Sequence, residues 1–234
     1  PANIARTLAS VGQYIFAQDE KSIYINQFIS ASLETRVRDN PVKLDLHSAL
    51  MQTGALRLDI QAEQDQPFTI RLRIPPYWQA PVFTLEGKGI APVVENGYAV
   101  VAISHAGPQT LTVQGRIAPR WVAANSHVRA DAGQVALMYG PYVYCLEQTD
   151  NGRELPNLYV SPEAAVEVAP PMESLPGGLP TLRFRGQRLA SGVEDALYGP
   201  PRFTLQEQTL TAIPYGLWCN RAPGEMQVWL KALL

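Results

Sequence analysis

Phe68-Thr69-Ile70-Arg71-Leu72-Arg73-Ile74 places an apolar side chain at every second position, and Pro75-Pro76 ends the run. A strand points successive side chains to opposite faces, so this run reads as a strand with one face in a core and one in water. The same period recurs upstream. Ile23 and Ile25 alternate with Tyr24 and Asn26; Val42, Leu44 and Leu46 with Lys43, Asp45 and His47; Leu56, Leu58 and Ile60 with Arg57, Asp59 and Gln61. Downstream, Asn96-Gly97 marks a hairpin turn, because Gly tolerates positive φ and Asn resists it less than most residues. Val101 and Ile103 follow, then Leu111 and Val113 after His105-Ala106-Gly107-Pro108. The connections are too short for crossovers, which predicts an antiparallel meander.

Ile117-Ala118-Pro119-Arg120-Trp121 reads as a seam. A second β run follows, with Val135, Leu137 and Tyr139, then Val143 and Cys145, broken by Gly140-Pro141. Residues 150–180 are rich in Pro, Gly, Glu and Ala and predict an irregular connection with at most short strands. Strands return over 182–184, 203–211 and 226–230. At the other end, Ile4, Leu8, Val11 and Ile15 recur at helical spacing with Ala5, Ala9 and Phe16 beside them, and Asn3 is placed to cap that helix. The expected fold is mainly β: one N-terminal helix over 1–20, then two antiparallel β-sandwich modules over 21–120 and 121–234. No fixed-period repeat is present, which disfavours a solenoid or propeller.

The chain has 234 residues, a formal net charge of -2 and no run or stripe of Lys and Arg. That excludes an electrostatic nucleic-acid footprint. No apolar stretch is long enough to span a bilayer, so a soluble protein without membrane partners is expected. The two cysteines, Cys145 and Cys219, lack CxxC spacing and His neighbours, which points to two buried, reduced thiols rather than a disulfide. Pro1 follows no signal-peptide pattern and reads as a cut end.

Few residues announce chemistry. His47, His105 and His127 have no second His or Cys at ligand spacing, so no metal site is expected. A glycosidase needs two carboxylates flanking the scissile bond. Glu86, Glu95, Glu147, Glu207 and Glu225 are scattered over strands and turns and read as solvated edge acids. Cys145 shares a strand face with Val143, a core pattern, while Cys219 has polar neighbours; for both, structural burial is expected rather than the thiolate chemistry of a nucleophile. No catalytic residue is assigned. Aromatic rings serve sugar faces as stacking platforms. Tyr77 and Trp78, on a loop after the double proline, are the substrate-binding candidates, with Trp121, Tyr215, Trp218 and Trp229 behind them.

Several stretches together resemble glycoside hydrolase family 127, which holds the bacterial β-L-arabinofuranosidases. They are Pro1-Ala2-Asn3-Ile4-Ala5-Arg6 with Gln13-Tyr14-Ile15-Phe16-Ala17, then Leu72-Arg73-Ile74-Pro75 with Trp78. Next come Asn125-Ser126-His127-Val128-Arg129-Ala130-Asp131 and Gly140-Pro141-Tyr142-Val143-Tyr144-Cys145-Leu146-Glu147. The last are Pro214-Tyr215, Trp218, Asn220-Arg221 and Pro223-Gly224-Glu225-Met226. The matches are collinear from one end of the chain almost to the other; residues 151–202 match loosely. The resemblance implies a helical (α/α)6 barrel followed by two β-sandwiches. In that barrel a zinc-bound cysteine thiolate attacks the anomeric carbon and a glutamate serves as acid/base; zinc lowers the thiol pKa outright. It also implies that residues 1–20 are the barrel's last helix, and that the cysteine pair, the other zinc ligands and the glutamate have no counterpart here. Cys145 and Cys219 match no catalytic position.

The expected function is therefore a C-terminal accessory region of a retaining glycoside hydrolase, inactive by itself, whose parent releases terminal β-L-arabinofuranosyl groups from plant-type glycans. The chain itself is expected to hold no cofactor; zinc belongs to the parent. A cytoplasmic location is expected from thiol–zinc chemistry, and a homodimer is allowed. The alternative is a non-catalytic carbohydrate-binding or dimerisation β-sandwich module.

Overall fold

The computed structural model describes residues 2–191 and 197–233. The chain divides into two compact units, Pro1–Ile117 and Ala118–Leu234.

The first unit opens with a helix, α1 (Ala2–Ser10), and one 3₁₀ turn, Val11–Tyr14. Eleven strands follow: β1 (Phe16–Gln18), β2 (Ser22–Ile25), β3 (Ala31–Val37), β4 (Asn40–Ala49), β5 (Ala55–Ala62), β6 (Phe68–Arg73), β7 (Trp78–Leu85), β8 (Lys88–Ile90), β9 (Val93–Glu95), β10 (Tyr98–Ile103) and β11 (Gly107–Ile117). A single helical turn, α2 (Leu50–Thr53), joins β4 to β5. The strands form two sheets, ordered β1-β2-β6-β10-β9 and β3-β4-β5-β11-β7-β8. Register aligns the apolar positions across each sheet. Ile70 faces both Ile23 and Val101, and Leu58 faces both Leu46 and Leu111. The buried faces of both sheets share one core. A one-residue slip would turn every one of these side chains toward water, so the pattern sets the register.

Three expectations change here. The helix stops at Ser10, and Phe16–Gln18 is a strand paired with β2, because Ile15 and the chain after it are drawn into the sheet rather than onto a continued helical stripe. Asn3 lies inside the helix instead of capping it. The sheet is also not a pure antiparallel meander. β2 runs parallel to β6, since the chain leaves the first sheet, builds three strands of the second, and returns. Three strands do the work of a crossover helix.

The second unit holds β12 (Pro119–Ala123), β13 (Gln134–Tyr139), β14 (Tyr142–Glu147), β15 (Leu158–Val160), β16 (Val166–Ala169), β17 (Thr181–Ser191), β18 (Phe203–Pro214), β19 (Met226–Gln227) and β20 (Leu230–Ala232). A short helix, α3 (Gln148–Asn151), follows β14. Among the described residues, all nine strands belong to one sheet. Its path β13-β20-β15-β17-β18-β14 returns on itself, because β14 also pairs with β13 through Met138↔Val143 and Tyr139↔Tyr142. This is a closed six-stranded barrel, so the expectation of two sandwich modules is corrected. Gly140-Pro141, read as a break, is the hairpin turn that closes the ring, with Gly140 at φ +56°. The single strand expected over 226–230 is two: β19 pairs with β14, while β20 pairs with β13 and runs parallel to β15.

In the first unit one contact ties three elements together. The Trp78 indole N–H donates to the Gly54 carbonyl at 3.1 Å, and the Gly115 N–H donates to the same oxygen at 3.0 Å. Gly115 sits in a bulge of β11, between the Gln114 and Arg116 pairings with β7. A Cβ there would lie 2.4 Å from Trp78 Nε1. Gly115→Ala is therefore expected to destabilise this unit by about 1–3 kcal/mol through overpacking. Gly12→Ala, where a Cβ meets nothing within 4 Å, should stay within about 0.5 kcal/mol of wild type. Urea midpoints of the two variants check this.

Candidate functional site

The loop aromatics of the first unit do not form an open platform. Trp78 is 3% exposed, with its ring 5.6 Å from that of Phe28, and half-buried Tyr77 packs against the same core. His47 lies on the outer sheet face 3.5 Å from Asp59, which also takes hydrogen bonds from Arg57 and Thr110. Burial opposes the charge on Asp59, but these hydrogen bonds outweigh it and hold the carboxyl below its ordinary value. His105 and His127 are exposed and lie in different units.

In the second unit the structure gathers residues that the sequence leaves apart. Arg221 is the hub. Its Nη1 and Nη2 donate to Asp150 Oδ1 and Oδ2 at 2.9 and 2.5 Å, and Nη2 donates to Glu147 Oε2 at 2.5 Å. Asp150 takes the guanidinium in a bidentate grip, the geometry that suits Arg rather than Lys. The other Glu147 oxygen accepts the Cys219 N–H at 2.6 Å. Side-chain exposures are 13% for Arg221, 5% for Glu147 and 13% for Asp150. Hydrogen bonds to Asp150 push the Arg221 pKa further up; burial opposes this, and Glu147 adds to the rise. Glu147 was expected as a solvated edge acid. It is buried because β14 continues straight into α3, which places Glu147 and Asp150 under the returning segment that carries Arg221.

The same segment is stitched at further points. Gln148 N–H donates to the Glu225 carbonyl at 2.9 Å, and Glu225 Oε2 accepts the Leu155 N–H at 2.8 Å. Asn151, which the sequence did not single out, is 2% exposed and bonds the Thr211 N–H and carbonyl, both at 2.9 Å. Two carboxylates on one cation are not a hydrolytic pair. A glycosidase needs them on either side of a bond to be cut, one protonated; here both face Arg221 and little surface remains for a substrate.

Cys145 is buried beside Ile213, Leu175 and Met172. Burial first, then the charge of Glu147, pushes its thiol up to about 12, so it holds its proton and is no nucleophile. Cys219, expected to be buried like Cys145, is instead exposed, because it sits in the turn that follows Trp218; both cysteines are free thiols. Among the described residues no three His, Cys, Asp or Glu side chains come together in a way that fits a metal ion. The zinc that the resemblance implies therefore does not fit this chain's described residues, and no chemistry of theirs runs through it.

Two family models match the chain in succession. Residues 22–117 match the middle domain of family 127, described as β-L-arabinofuranosidase, and residues 119–231 match the C-terminal domain of the same family. The chain belongs to glycoside hydrolase family 127. It is 32% identical over 247 aligned positions to the non-reducing end β-L-arabinofuranosidase of Bifidobacterium longum subsp. longum, covering 99% of this chain and 36% of that protein. Among solved structures, a family 127 β-L-arabinofuranosidase from Geobacillus stearothermophilus T6 matches with a TM-score of 0.91 and 31% identity, over 100% of this chain and 37% of that one. A family 127 β-arabinofuranosidase matches with a TM-score of 0.85 and 27% identity, over 100% and 38%. This family 127 chain thus spans about a third of the length of the curated relative it matches.

Two outcomes follow from the buried cluster. Arg221→Met strands two carboxylates away from water and should cost the second unit about 3–5 kcal/mol, and adding Glu147→Gln and Asp150→Asn should recover part of that loss in urea denaturation. A thiol reagent at pH 8 should label Cys219 in the native protein and reach Cys145 only after unfolding, as read by mass spectrometry.

Proposed function

We propose that this chain is the C-terminal accessory region of a retaining glycoside hydrolase that releases terminal β-L-arabinofuranosyl groups. The observation that carries this reading is the unbroken succession of middle and C-terminal family domains over residues 22–231. The 32% identity to a non-reducing end β-L-arabinofuranosidase adds the sugar. On this reading the zinc-bound cysteine nucleophile and the acid/base glutamate come from outside these residues, and the substrate is a plant-type glycan. The chain's own part is scaffolding, with association of two copies through its sheets. Residues 2–10 serve as the closing helix of a helical barrel. The exposed stripe of Ile4 and Leu8, 67% and 68% accessible, suits that position. The free thiols suit a reducing, cytoplasmic setting.

The intact protein should turn over p-nitrophenyl β-L-arabinofuranoside, and residues 1–234 alone should not. Turnover by the isolated chain would sink the accessory role. An intact protein inert to this substrate would sink the assigned reaction.

A further inference from the structure

Two exposed aromatic rings leave the second unit from one fixed turn. Tyr215–Leu217 is a single 3₁₀ turn, and the Trp218 N–H closes it on the Tyr215 carbonyl at 3.3 Å. Tyr215 opens this turn and Trp218 follows it in extended backbone, so the two rings leave from the two ends of one turn. They are 45% and 40% exposed. Leu217, between them in sequence, packs instead against the cluster of Cys145, Leu175 and Ile213. A Cβ added to Gly216 would meet nothing within 4 Å, so space is open beside the turn.

The turn is held from below. Cys219, at φ +62°, donates its N–H to buried Glu147; Asn220 Nδ2 donates to the Leu217 carbonyl at 3.0 Å; Arg221 grips Glu147 and Asp150. The backbone under both rings is therefore set before any ligand arrives, which removes an ordering cost from binding.

We propose that Tyr215 and Trp218 form a stacking platform for a ring of a neutral saccharide. Aromatic residues with a polar tip offer a π face to the C–H face of a sugar and a hydrogen bond at the edge. Size favours a sugar over a protein partner. Rings of this kind carry roughly 150–250 Å² each, so at about four-tenths exposure the pair offers roughly 150 Å². A stable protein interface takes about 800 Å² from each partner. Charge favours a neutral ligand. Arg221 carries one positive charge against two carboxylates, and the remaining negative charge beneath the turn repels anions. This inference goes beyond the accessory role above and does not depend on hydrolysis.

The test uses the intact protein and three probes: an L-arabino-oligosaccharide, cellohexaose and an oligogalacturonate. Titration calorimetry should show weak binding of a neutral oligosaccharide, with Kd in the range of about 1 mM, and Trp218→Ala with Tyr215→Ala should weaken it at least tenfold. Oxidative footprinting read by mass spectrometry keeps the test valid if the variants misfold. In wild type, Trp218 should be oxidised readily and be protected by the saccharide that binds. Unchanged affinity in a folded double variant, a Trp218 shielded in the absence of sugar, protection unaltered at saturating sugar, or equal binding of the oligogalacturonate would each overturn the platform. Because the readout is binding, a failure of the arabinosidase reading leaves this result intact.

Discussion

Strand edges present unpaired N–H and C=O groups that must be paired, shortened or charged, and both units of this chain are shaped by that demand. The first unit leaves its sheets open and keeps most of the edges short. β1, β8 and β9 are three residues each, and the longer edge strand β3 carries Ser32, Glu34 and Arg36 toward water. The second unit removes the problem for six of its strands by closing the ring. The same alternating apolar pattern thus serves two architectures. What separates them is pairing at the ends of strands, above all the brief β13–β14 ladder.

The Arg221 cluster shows how a buried ion group can shape a surface without taking part in chemistry. Removing three charges from water is costly, and the cost is offset only where geometry and extra hydrogen bonds are good. Here Asp150 supplies the bidentate grip, and Glu147 divides its two oxygens between a guanidinium and a backbone N–H. The outcome is a loop whose residues 219–225 are tied to Glu147 and to α3. Exposed aromatics on such a loop differ from exposed aromatics on a flexible one, since their spacing is set by the backbone.

Much of the first unit was legible in the sequence because its strands are half-wet. Leu44, Leu46, Leu58, Ile60, Ile70 and Leu72 are all buried, at the alternating positions that single them out. The Asn96-Gly97 turn was readable too, with φ of +51° and +82°. Arg38-Asp39 and Glu86-Gly87 make equivalent turns with positive φ at both residues, yet Arg38 and Glu86 carry no such signal. The second unit was harder. Tyr144, Cys145, Leu146 and Glu147 are buried in succession, so β14 is covered on both faces and loses the alternation that marks a surface sheet. Ring closure rests on pairs distant in sequence, which local patterns do not reveal. The site suffered most: Glu147, Asp150 and Arg221 meet across some seventy residues. Only the oddity of a carboxylate in an otherwise apolar run, Val143 to Glu147, hinted at it. Trp78 misled because a position after Pro75-Pro76 looks like a loop, while its indole turns inward to Gly54.

The double pairing of β20 bears on the order in which the molecule can assemble. β20 bonds to Gln134 and Val135 on one side and to Tyr159 and Val160 on the other. On a ribosome, β13, β14 and β15 emerge well before residues 230–232 exist to join them. Until then the gap between β13 and β15 is an open seam with unpaired backbone and uncovered apolar side chains, the kind of surface on which nascent chains misassociate. Pairing at such sequence separation is also slow to form. The ring of the second unit can therefore close only once Ala232 has emerged, whereas the two sheets of the first unit are complete by Ile117.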